Sequence, residues 1–393
     1  MGIANKSISE IVRGDRQEVK QIYVPIVLLL ISLLAGCTSE ETSTKSIPIA
    51  ELTYYKTIVS YEEGMLGNPL ILRQGPKSQL FVYDAAKKQV LKFDSNGKVV
   101  NSFGGQGRGP GEFIMVNNMF WADNQLYVVG QVQMKISRFG LDGKLDGTFN
   151  FGKKRSHAVP PPAPRAKTPR AIDIDNQPVL TSKGNVLLSA IKPKGTSKSL
   201  YELVDWEDNH IASLGEMPKG SVFTLNYDQY QLMVKEGEIP AFYKAKAFAV
   251  NDQANPDEVY LVYSDLANIA KYDLSGSKLW EKNIPKTTEL DSLTSYYFES
   301  SQEMNGGMRI GLERYVAGTT DEQGYLYLAV GKYHRGETPN SLWIHKFSTN
   351  GELIKRYHLQ SLDVGLVPIF TVDASAGRLY VVTENASIRS YAM

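Results

Sequence analysis

The stretch Leu80-Phe81-Val82-Tyr83 is a short apolar strand signal that returns along the chain, so that six copies can be recognised. The other five copies are Leu126-Tyr127-Val128-Val129, Val186-Leu187-Leu188, Val259-Tyr260-Leu261-Val262, Leu326-Tyr327-Leu328-Ala329 and Leu379-Tyr380-Val381-Val382. A turn precedes each copy, and a polar gap and a further strand follow it. Recurrence of one such supersecondary unit along a chain is typical of β-propellers, in which sheets repeat around a central axis. The sequence therefore predicts an all-β fold, a six-bladed β-propeller.

Each repeat is predicted to form one blade of four antiparallel strands. In the second repeat, Met119 to Trp121 leads into a turn at 123–124, and further strands are expected at 126–129, 135–139 and 145–149. The hairpin between the third and fourth strands usually contains Asn-Gly, Asp-Gly or Ser-Gly, and these residues tolerate the positive φ of tight hairpins. The third repeat is the most divergent copy, because Asp205 to Asn209 replaces this hairpin without a glycine.

The sixth repeat ends at Met393, directly after its third strand, so its fourth strand has to come from elsewhere. The segment from Leu52 to Tyr61 precedes the first repeat and has the β-branched and aromatic composition of a strand. We expect this N-terminal strand to complete the last blade and to close the ring, which removes exposed strand edges. The propeller domain is predicted to span residues 51–393.

The N-terminus has the pattern of a lipoprotein signal peptide, predicted to span residues 1–36. Basic residues precede an apolar run from Ile22 to Leu34, which is shorter than the roughly 20 residues of a membrane-spanning helix. Leu34-Ala35-Gly36-Cys37 resembles the lipobox of bacterial lipoproteins, in which the cysteine is acylated and becomes the mature N-terminus. We therefore expect lipidation at Cys37; the alternative is an uncleaved membrane anchor.

Residues 37–50 are polar at first and are predicted to form a flexible tether between the lipid and the propeller. Thr38, rather than Asp, follows the cysteine, and this resembles the sorting signal of outer-membrane lipoproteins. The predicted location is the outer membrane or cell surface of a bacterium, with the membrane as a partner through Cys37.

The charge balance and the cysteine content bear on nucleic-acid binding and on disulfide formation. The chain has 393 residues, with 43 Lys and Arg against 42 Asp and Glu, so no global positive field favours a nucleic-acid partner. Cys37 is the only cysteine of the sequence, so no internal disulfide can form.

The glycine-rich run from Phe103 to Phe113 is the sharpest local motif. Such a run can cradle a phosphate, but phosphate loops lead from a strand into a helix, whereas strand signals flank this run on both sides. We interpret it as a compact crossing between blades, with a nucleotide loop as the alternative. The run resembles the Gly-x-Gly-x-Gly-Pro-Gly-Glu-Phe link of NHL-type propellers. Together with the lipobox and the repeats, it makes the mature chain similar to the six-bladed β-propeller lipoproteins of Bacteroidetes, most of which lack an assigned activity.

Functional residues of propellers gather on one face, in the loops between blades and between second and third strands. The basic segment 152–170 fits either an anionic ligand or a solvated Pro-rich loop. The insertions at 223–243 and 290–314 carry aromatic and arginine side chains that either contact a ligand or pack the insertions onto the ring. The candidate ligand-binding residues are Arg108, Tyr227, Tyr230, Tyr243, Arg309, Arg314, Tyr333, His334 and Arg335.

The sequence favours a binding protein for a glycan, a peptide or an envelope complex, and it assigns no catalytic residue. The alternative is a metal-dependent lyase or a lactonase/hydrolase, which the resemblance to NHL-like propeller enzymes implies. Such a site needs ligands that converge from several blades, and of the five histidines only His334 is expected to face the channel. No cofactor is predicted, although a calcium ion held by carboxylates is left open without a motif for it. A purely structural role in the envelope is a third hypothesis.

Overall fold

The computed structural model describes residues 46–122, 124–130, 132–151, 179–181, 184–190, 198–222, 226–303, 312–331, 341–360, 363–365 and 368–393. The residues from Ile47 onward form one compact unit. Its β-strands, in chain order, are β1 Ile49–Glu51, β2 Thr53–Val59, β3 Pro69–Gly75, β4 Gln79–Asp84, β5 Gln89–Phe93, β6 Val99–Phe103, β7 Asn118–Ala122, β8 Gln125–Gly130, β9 Lys135–Phe139, β10 Leu145–Asn150, β11 Val179–Leu180, β12 Val186–Ser189, β13 Ser199–Val204, β14 His210–Glu216, β15 Ala247–Asn251, β16 Glu258–Tyr263, β17 Asn268–Asp273, β18 Lys278–Asn283, β19 Tyr315–Thr320, β20 Leu326–Val330, β21 Leu342–Phe347, β22 Leu353–Leu359, β23 Phe370–Asp373, β24 Arg378–Val382 and β25 Ile388–Ala392.

These strands form six antiparallel sheets that are the blades of a propeller. Blades 1 to 5 are the consecutive quartets β3–β6, β7–β10, β11–β14, β15–β18 and β19–β22, and blade 6 consists of β23, β24, β25 and β2. The first strand of each blade lies innermost and contacts the first strand of a neighbouring blade, for example β3 with both β23 and β7. The predicted fold class, blade number and strand number are therefore confirmed.

The six apolar strand signals occupy the second strand of each blade, where both faces of the sheet are covered by neighbouring blades. In blade 1, Leu80, Phe81, Val82 and Tyr83 are each at most 1% exposed. A strand that is buried on both faces loses the alternation of apolar and polar residues and becomes a continuous hydrophobic run. This is why the second strands dominate the sequence pattern.

The N-terminal strand closes the ring as predicted. Strand β2 pairs antiparallel with β25, from Thr53 opposite Ala392 to Val59 opposite Ile388. The Ser390 hydroxyl donates to the Lys56 carbonyl at 3.2 Å and ties the same two strands together. Blade 6 therefore combines the two ends of the described chain.

The propeller begins earlier than residue 51, and this corrects the predicted boundary. Strand β1 lies parallel to β22, with Ile49 opposite Arg356, and adds a fifth strand to blade 5. The Arg356 amide also donates to the Pro48 carbonyl at 2.9 Å. The last residues of the segment predicted as tether, 37–50, are therefore part of the folded unit.

The hairpins between third and fourth strands share one construction. In blade 1, the Asp94 carboxylate accepts the amides of Asn96 and Lys98, and Gly97 adopts a positive φ of 88°. The divergent hairpin of blade 3 keeps the aspartate, Asp205, and places Asp208 at a φ of 63° instead of a glycine. Aspartate tolerates this left-handed conformation, which explains how the hairpin survives without glycine.

The two ends of the central channel are called the turn face and the loop face. The turn face carries the turns between first and second strands and between third and fourth strands. The loop face carries the loops between second and third strands and the connections between blades. Two helices lie in such connections: α1, Tyr227–Lys235, between blades 3 and 4, and α2, Thr288–Glu303, between blades 4 and 5. The helices contact each other and share one apolar cluster with blades 4 and 5.

The glycine-rich run is a compact crossing between β6 and β7. Gly104 has a φ of 87°, and a Cβ atom there would lie 2.3 Å from the Phe113 ring. The Lys135 ammonium donates to the carbonyls of Gly109 and Glu112 at 2.9 and 2.8 Å, and the Glu112 carboxylate accepts the Gly109 amide at 2.8 Å. The run is thus held by its own contacts and leads into a strand, as the crossing interpretation requires.

Candidate functional site

A cavity of about 280 Å³ lies in the central channel, at its turn-face end. The innermost strands of blades 1, 2, 4 and 5 form its wall, and the turn residues Pro76, Asn124 and Pro256 surround its mouth. The described loops of the opposite face, where the sequence places functional residues, do not contribute to this wall.

The wall of the cavity combines uncharged polar groups with aromatic rings. Amide side chains come from Gln74, Asn118 and Gln253, and Phe120 and Phe248 add apolar surface. A concave, partly aromatic wall with a few fixed polar groups is the usual composition of a small-molecule site.

Hydrogen bonds between neighbouring blades hold this wall in place. The Thr320 hydroxyl of blade 5 donates to the Asn251 carbonyl of blade 4 at 2.8 Å. The same hydroxyl accepts a hydrogen bond from the backbone N–H of Gln253 at 3.2 Å. On the other side of the channel, the backbone N–H of Gln74 in blade 1 donates to the Thr371 hydroxyl of blade 6 at 3.2 Å. Because these bonds join innermost strands, they fix the width of the channel.

Arg73 brings a positive charge into the cavity wall. It lies on β3, and its Nε donates to the Met119 carbonyl of blade 2 at 2.6 Å. Its Nη1 donates to the Leu72 carbonyl at 2.8 Å, and its Nη2 donates to Asn118 Oδ1 at 3.1 Å. Burial lowers the pKa of Arg73 to about 10, so the guanidinium is still protonated at neutral pH.

Asp252, the carboxylate in the cavity wall, is already paired. Its Oδ2 lies 2.8 Å from the Lys271 ammonium, and both side chains are at most 6% exposed. Glu258 contacts the same ammonium. Burial disfavours the charged lysine, but the hydrogen bonds from Lys271 to Asp252 and Glu258 outweigh it and raise the pKa of Lys271. Asp252 is therefore an ion-paired carboxylate that shares the Lys271 ammonium with Glu258.

A second ionisable cluster lies beneath α2, away from the cavity. The fully buried His345 ring contacts Glu289 Oε1 through Nε2 at 2.5 Å and the Tyr315 hydroxyl through Nδ1 at 2.8 Å. Arg356 donates to Glu289 Oε2 at 3.1 Å and to the Ile47 carbonyl at 3.2 Å. The cluster joins α2, blade 5 and the N-terminal segment.

The two central groups of this cluster, Glu289 and His345, both have a lowered pKa. Burial opposes ionisation of Glu289, but its hydrogen bond with His345 prevails and lowers the pKa of Glu289 to about 2. Burial also lowers the pKa of His345, so the imidazole is neutral at neutral pH. The geometry resembles a Tyr-His-Glu relay, but its histidine has no exposed surface from which a substrate could be reached.

Two of the four aromatic residues predicted to bind a ligand, Tyr230 and Tyr243, pack against the protein. Tyr230 and Tyr243 are 5% and 8% exposed, lie in the apolar cluster of blades 4 and 5, and meet edge to face at 6.3 Å. The Tyr230 hydroxyl is 3.3 Å from Ser301 of α2. Their placement fits the packing alternative for the insertions.

Arg314 likewise has a structural role. Its guanidinium donates to the Asp265 carbonyl and, from Nη2, to the Thr294 hydroxyl at 3.2 Å, which fastens α2 to blade 4. Arg108 is exposed in the glycine-rich crossing, and Tyr227 begins α1. The remaining predicted residues, Arg309, Tyr333, His334, Arg335 and Cys37, and the basic segment 152–170 lie outside the described residues.

Within the described part of the chain, no group of three or more His, Cys, Asp or Glu side chains is placed to hold a metal ion. The same part contains no helix that is long and apolar enough to cross a membrane.

Comparison with known sequences agrees with the observed architecture. Residues 72–162 match a family described as a 6-bladed beta-propeller. The chain is a six-bladed β-propeller. No curated protein matches its sequence.

Solved structures similar to this propeller include two from Bacteroides. A B. fragilis protein described as exported is 13% identical over 86% of this chain and 94% of its own, with a TM-score of 0.49. A B. vulgatus protein is 12% identical over 88% and 94% of the two chains, with a TM-score of 0.47. A gluconolactonase of Xanthomonas campestris is 10% identical over 86% and 94%, with a TM-score of 0.43.

Arg73 is not among the residues predicted to bind a ligand, yet the sequence contains a signal for it. In the described part of the chain, Arg73 is the only Lys or Arg on an innermost strand, where it interrupts the apolar run of Pro69–Gly75.

Proposed function

We propose that this propeller is a lipid-anchored cell-envelope protein that binds a small polar ligand in its central channel and performs no chemistry on it. The observation that carries the proposal is the cavity of about 280 Å³ among the innermost strands. Its volume is slightly below the roughly 300–1,000 Å³ of pockets for drug-sized ligands, which favours a small molecule or the end group of a glycan or peptide.

The groups around the cavity support binding rather than catalysis. The described wall residues include no histidine and no cysteine, and the carboxylate of Asp252 is held by Lys271. General acid–base or nucleophilic catalysis needs such a group within hydrogen-bond reach of the substrate. Amides, hydroxyls and a guanidinium instead fix the orientation of a bound polar molecule.

The sequence supports the location. The lipobox at 34–37 would place an acyl chain on Cys37, ten positions before Ile47, where the compact unit begins. A single acyl chain gives only reversible membrane binding, whereas the several chains of a bacterial lipoprotein would anchor the propeller stably at the membrane surface. A channel ligand or an envelope partner would then be met in that compartment.

Ligand capture by the lipidated, full-length protein tests this proposal. We expect native mass spectrometry of protein purified from membranes to show a bound small molecule that is lost in Thr319→Phe, which places a ring in the cavity wall. Thr57→Phe adds the same ring on the exposed outer strand of blade 6 and is the matched control. Pro256→Trp, at the exposed mouth, provides a second block if Thr319→Phe folds poorly.

Two outcomes would contradict the proposal. A ligand that stays bound in both channel variants would lie elsewhere on the protein. A wild-type protein that carries no ligand, and whose melting temperature does not rise with envelope extract, would have no small-molecule function to explain. Turnover of the captured molecule, abolished by a chelator, would instead support the metal-dependent enzyme.

A further inference from the structure

The guanidinium of Arg73 is a partly buried cation that forms no ion pair with the described residues. None of the described ion pairs involves it, and its three described hydrogen bonds end on two carbonyls and one amide oxygen. No nearby charge influences its pKa, which burial alone lowers. Taking a cation out of water without a counter-charge costs free energy.

The Arg73 side chain is part of the wall of the channel cavity. The residue lines the cavity together with Asn118 and Met119, which hold one side of its guanidinium. Asp252, the other charged residue of the described wall, has its Oδ2 2.8 Å from the ammonium of Lys271, which Glu258 also contacts. Arg73 is the one positively charged residue of the described cavity wall, and the wall residues other than Arg73 and Asp252 are uncharged.

Two donors of Arg73 remain for a ligand. A guanidinium has five N–H groups, of which Nε uses its one and Nη1 and Nη2 use one each in the described hydrogen bonds. One N–H therefore remains on each terminal nitrogen. A carboxylate offers two oxygens at the spacing that such a pair of donors can engage.

We propose that Arg73 is the anion anchor of the channel and that the ligand is a small organic carboxylate, whose carbon skeleton lies against Phe120 and Phe248. This inference rests on the proposed channel function and specifies its ligand class. A strut between blades 1 and 2 would need only neutral donors to reach Met119 and Asn118, whereas the charge of Arg73 strengthens a hydrogen bond to an anion. The carboxylate of a free metabolite and the terminal carboxylate of a peptide share this chemistry.

Titration calorimetry with benzoate and its neutral isostere benzamide tests the inference on the full-length protein. We expect benzoate to bind the wild-type protein at least about tenfold more tightly than benzamide, because a hydrogen bond to a charged group exceeds a neutral one. Arg73→Gln should reduce the preference for benzoate by the same factor. Arg73→Lys keeps the charge but loses the planar pair of donors, so its affinity for benzoate should fall between those of the wild type and Arg73→Gln.

Controls separate this inference from the proposed function. Arg138→Gln removes an arginine that is paired with Asp146 on the third strand of blade 2, and it should leave benzoate binding unchanged. Benzoate and benzamide binding equally, both blocked by Thr319→Phe, would overturn the anion anchor while leaving the channel site intact. Benzoate binding that depends on Arg73 but survives both Thr319→Phe and Pro256→Trp would overturn the channel function.

The source of the carboxylate is settled by comparison of free and peptide-borne groups. Acetyl-glycyl-glycine with a free carboxylate, measured beside its C-terminal amide, represents the peptide source, and benzoate represents the metabolite source. Arg73-dependent binding of either supports the inference and identifies the source. No binding of either probe to the wild-type protein would overturn it.

Discussion

Glu289 and His345 show how burial can serve stability instead of function. They are 56 residues apart in sequence and meet at 2.5 Å beneath α2. The free energy of a buried ion–dipole contact depends on both partners, so the loss of one leaves the other desolvated and unsatisfied. The cluster thus behaves as a structural clasp that holds α2 and the N-terminal segment to blade 5.

Glu289→Gln is expected to lower the free energy of unfolding at pH 7.5 by about 3 kcal/mol, because it breaks a buried charged contact. The folded pKa of about 2 lies below the ordinary value of 4.5. The carboxylate therefore contributes its full stability above about pH 4.5 and loses it as the pH falls toward about 2. The difference from the wild type should shrink by about 1.4 kcal/mol per pH unit below 4.5.

Urea unfolding at pH 7.5, 5.0 and 3.5 measures this effect. Glu51→Gln is the control, since Glu51 contacts His358 from a largely exposed position and its loss should be nearly neutral. A Glu289→Gln deficit that stays constant from pH 7.5 to 3.5 would show that the carboxylate does not titrate as the geometry indicates.

The functional site was harder to predict at this scale than the core. Tyr230 and Tyr243 attracted attention as aromatics in a long insertion, but composition alone cannot distinguish an aromatic that packs inward from one that faces a ligand. Arg73 and Phe248 meet in one cavity although they belong to different blades. No local pattern in the sequence reports such a convergence.

At the scale of elements, the strands and hairpins were largely predictable because their signals are local. The apolar run of the second strand marks every blade, hairpins that end in glycine mark blades 1, 2, 4 and 5, and the crossing at 103–113 was interpreted correctly. Strand β1 was missed, since three residues, Ile49–Glu51, carry too little pattern to be separated from a tether. Its pairing with β22 is a tertiary contact that only the folded ring provides.

The crossing provides a prediction with an internal control. Gly104→Ala should lower the free energy of unfolding by about 1–3 kcal/mol, because its φ of 87° strains an L-residue and its new Cβ meets Phe113 at 2.3 Å. Gly105→Ala should be neutral, since a Cβ there meets nothing within 4 Å. Thermal melting of both variants checks the pair, and equal melting temperatures would contradict the proposed role of Gly104.

Closure by β2 predicts the outcome of an N-terminal truncation. A chain that begins at residue 62 lacks the outer strand of blade 6 and should aggregate or melt at a much lower temperature, because β25 then presents an open edge. A chain that begins at residue 46 retains β1 and β2 and should melt like the full-length propeller. An unchanged melting curve for the shorter chain would show that the ring closes without β2.

For the whole molecule, the architecture followed from repetition, whereas the anchor remains a prediction. Cys37→Ser should move the protein from the membrane fraction to the soluble fraction, since it removes the acylated thiol. Fractionation and metabolic labelling with palmitate check this expectation. Thr38→Ala, one residue further along, should keep both the label and the membrane association, and a labelled Cys37→Ser protein would place the lipid elsewhere.

Blade 6, which pairs β2 with β25, also constrains how the protein folds during its synthesis. Lys56 leaves the ribosome early, but Ser390, which bonds to it, lies 334 residues later. Five blades can collapse while translation continues, and the sixth has to wait until β25 has been synthesised. A stop codon before residue 388 would therefore leave β2 without its partner strand and β24 with an open edge, both in blade 6.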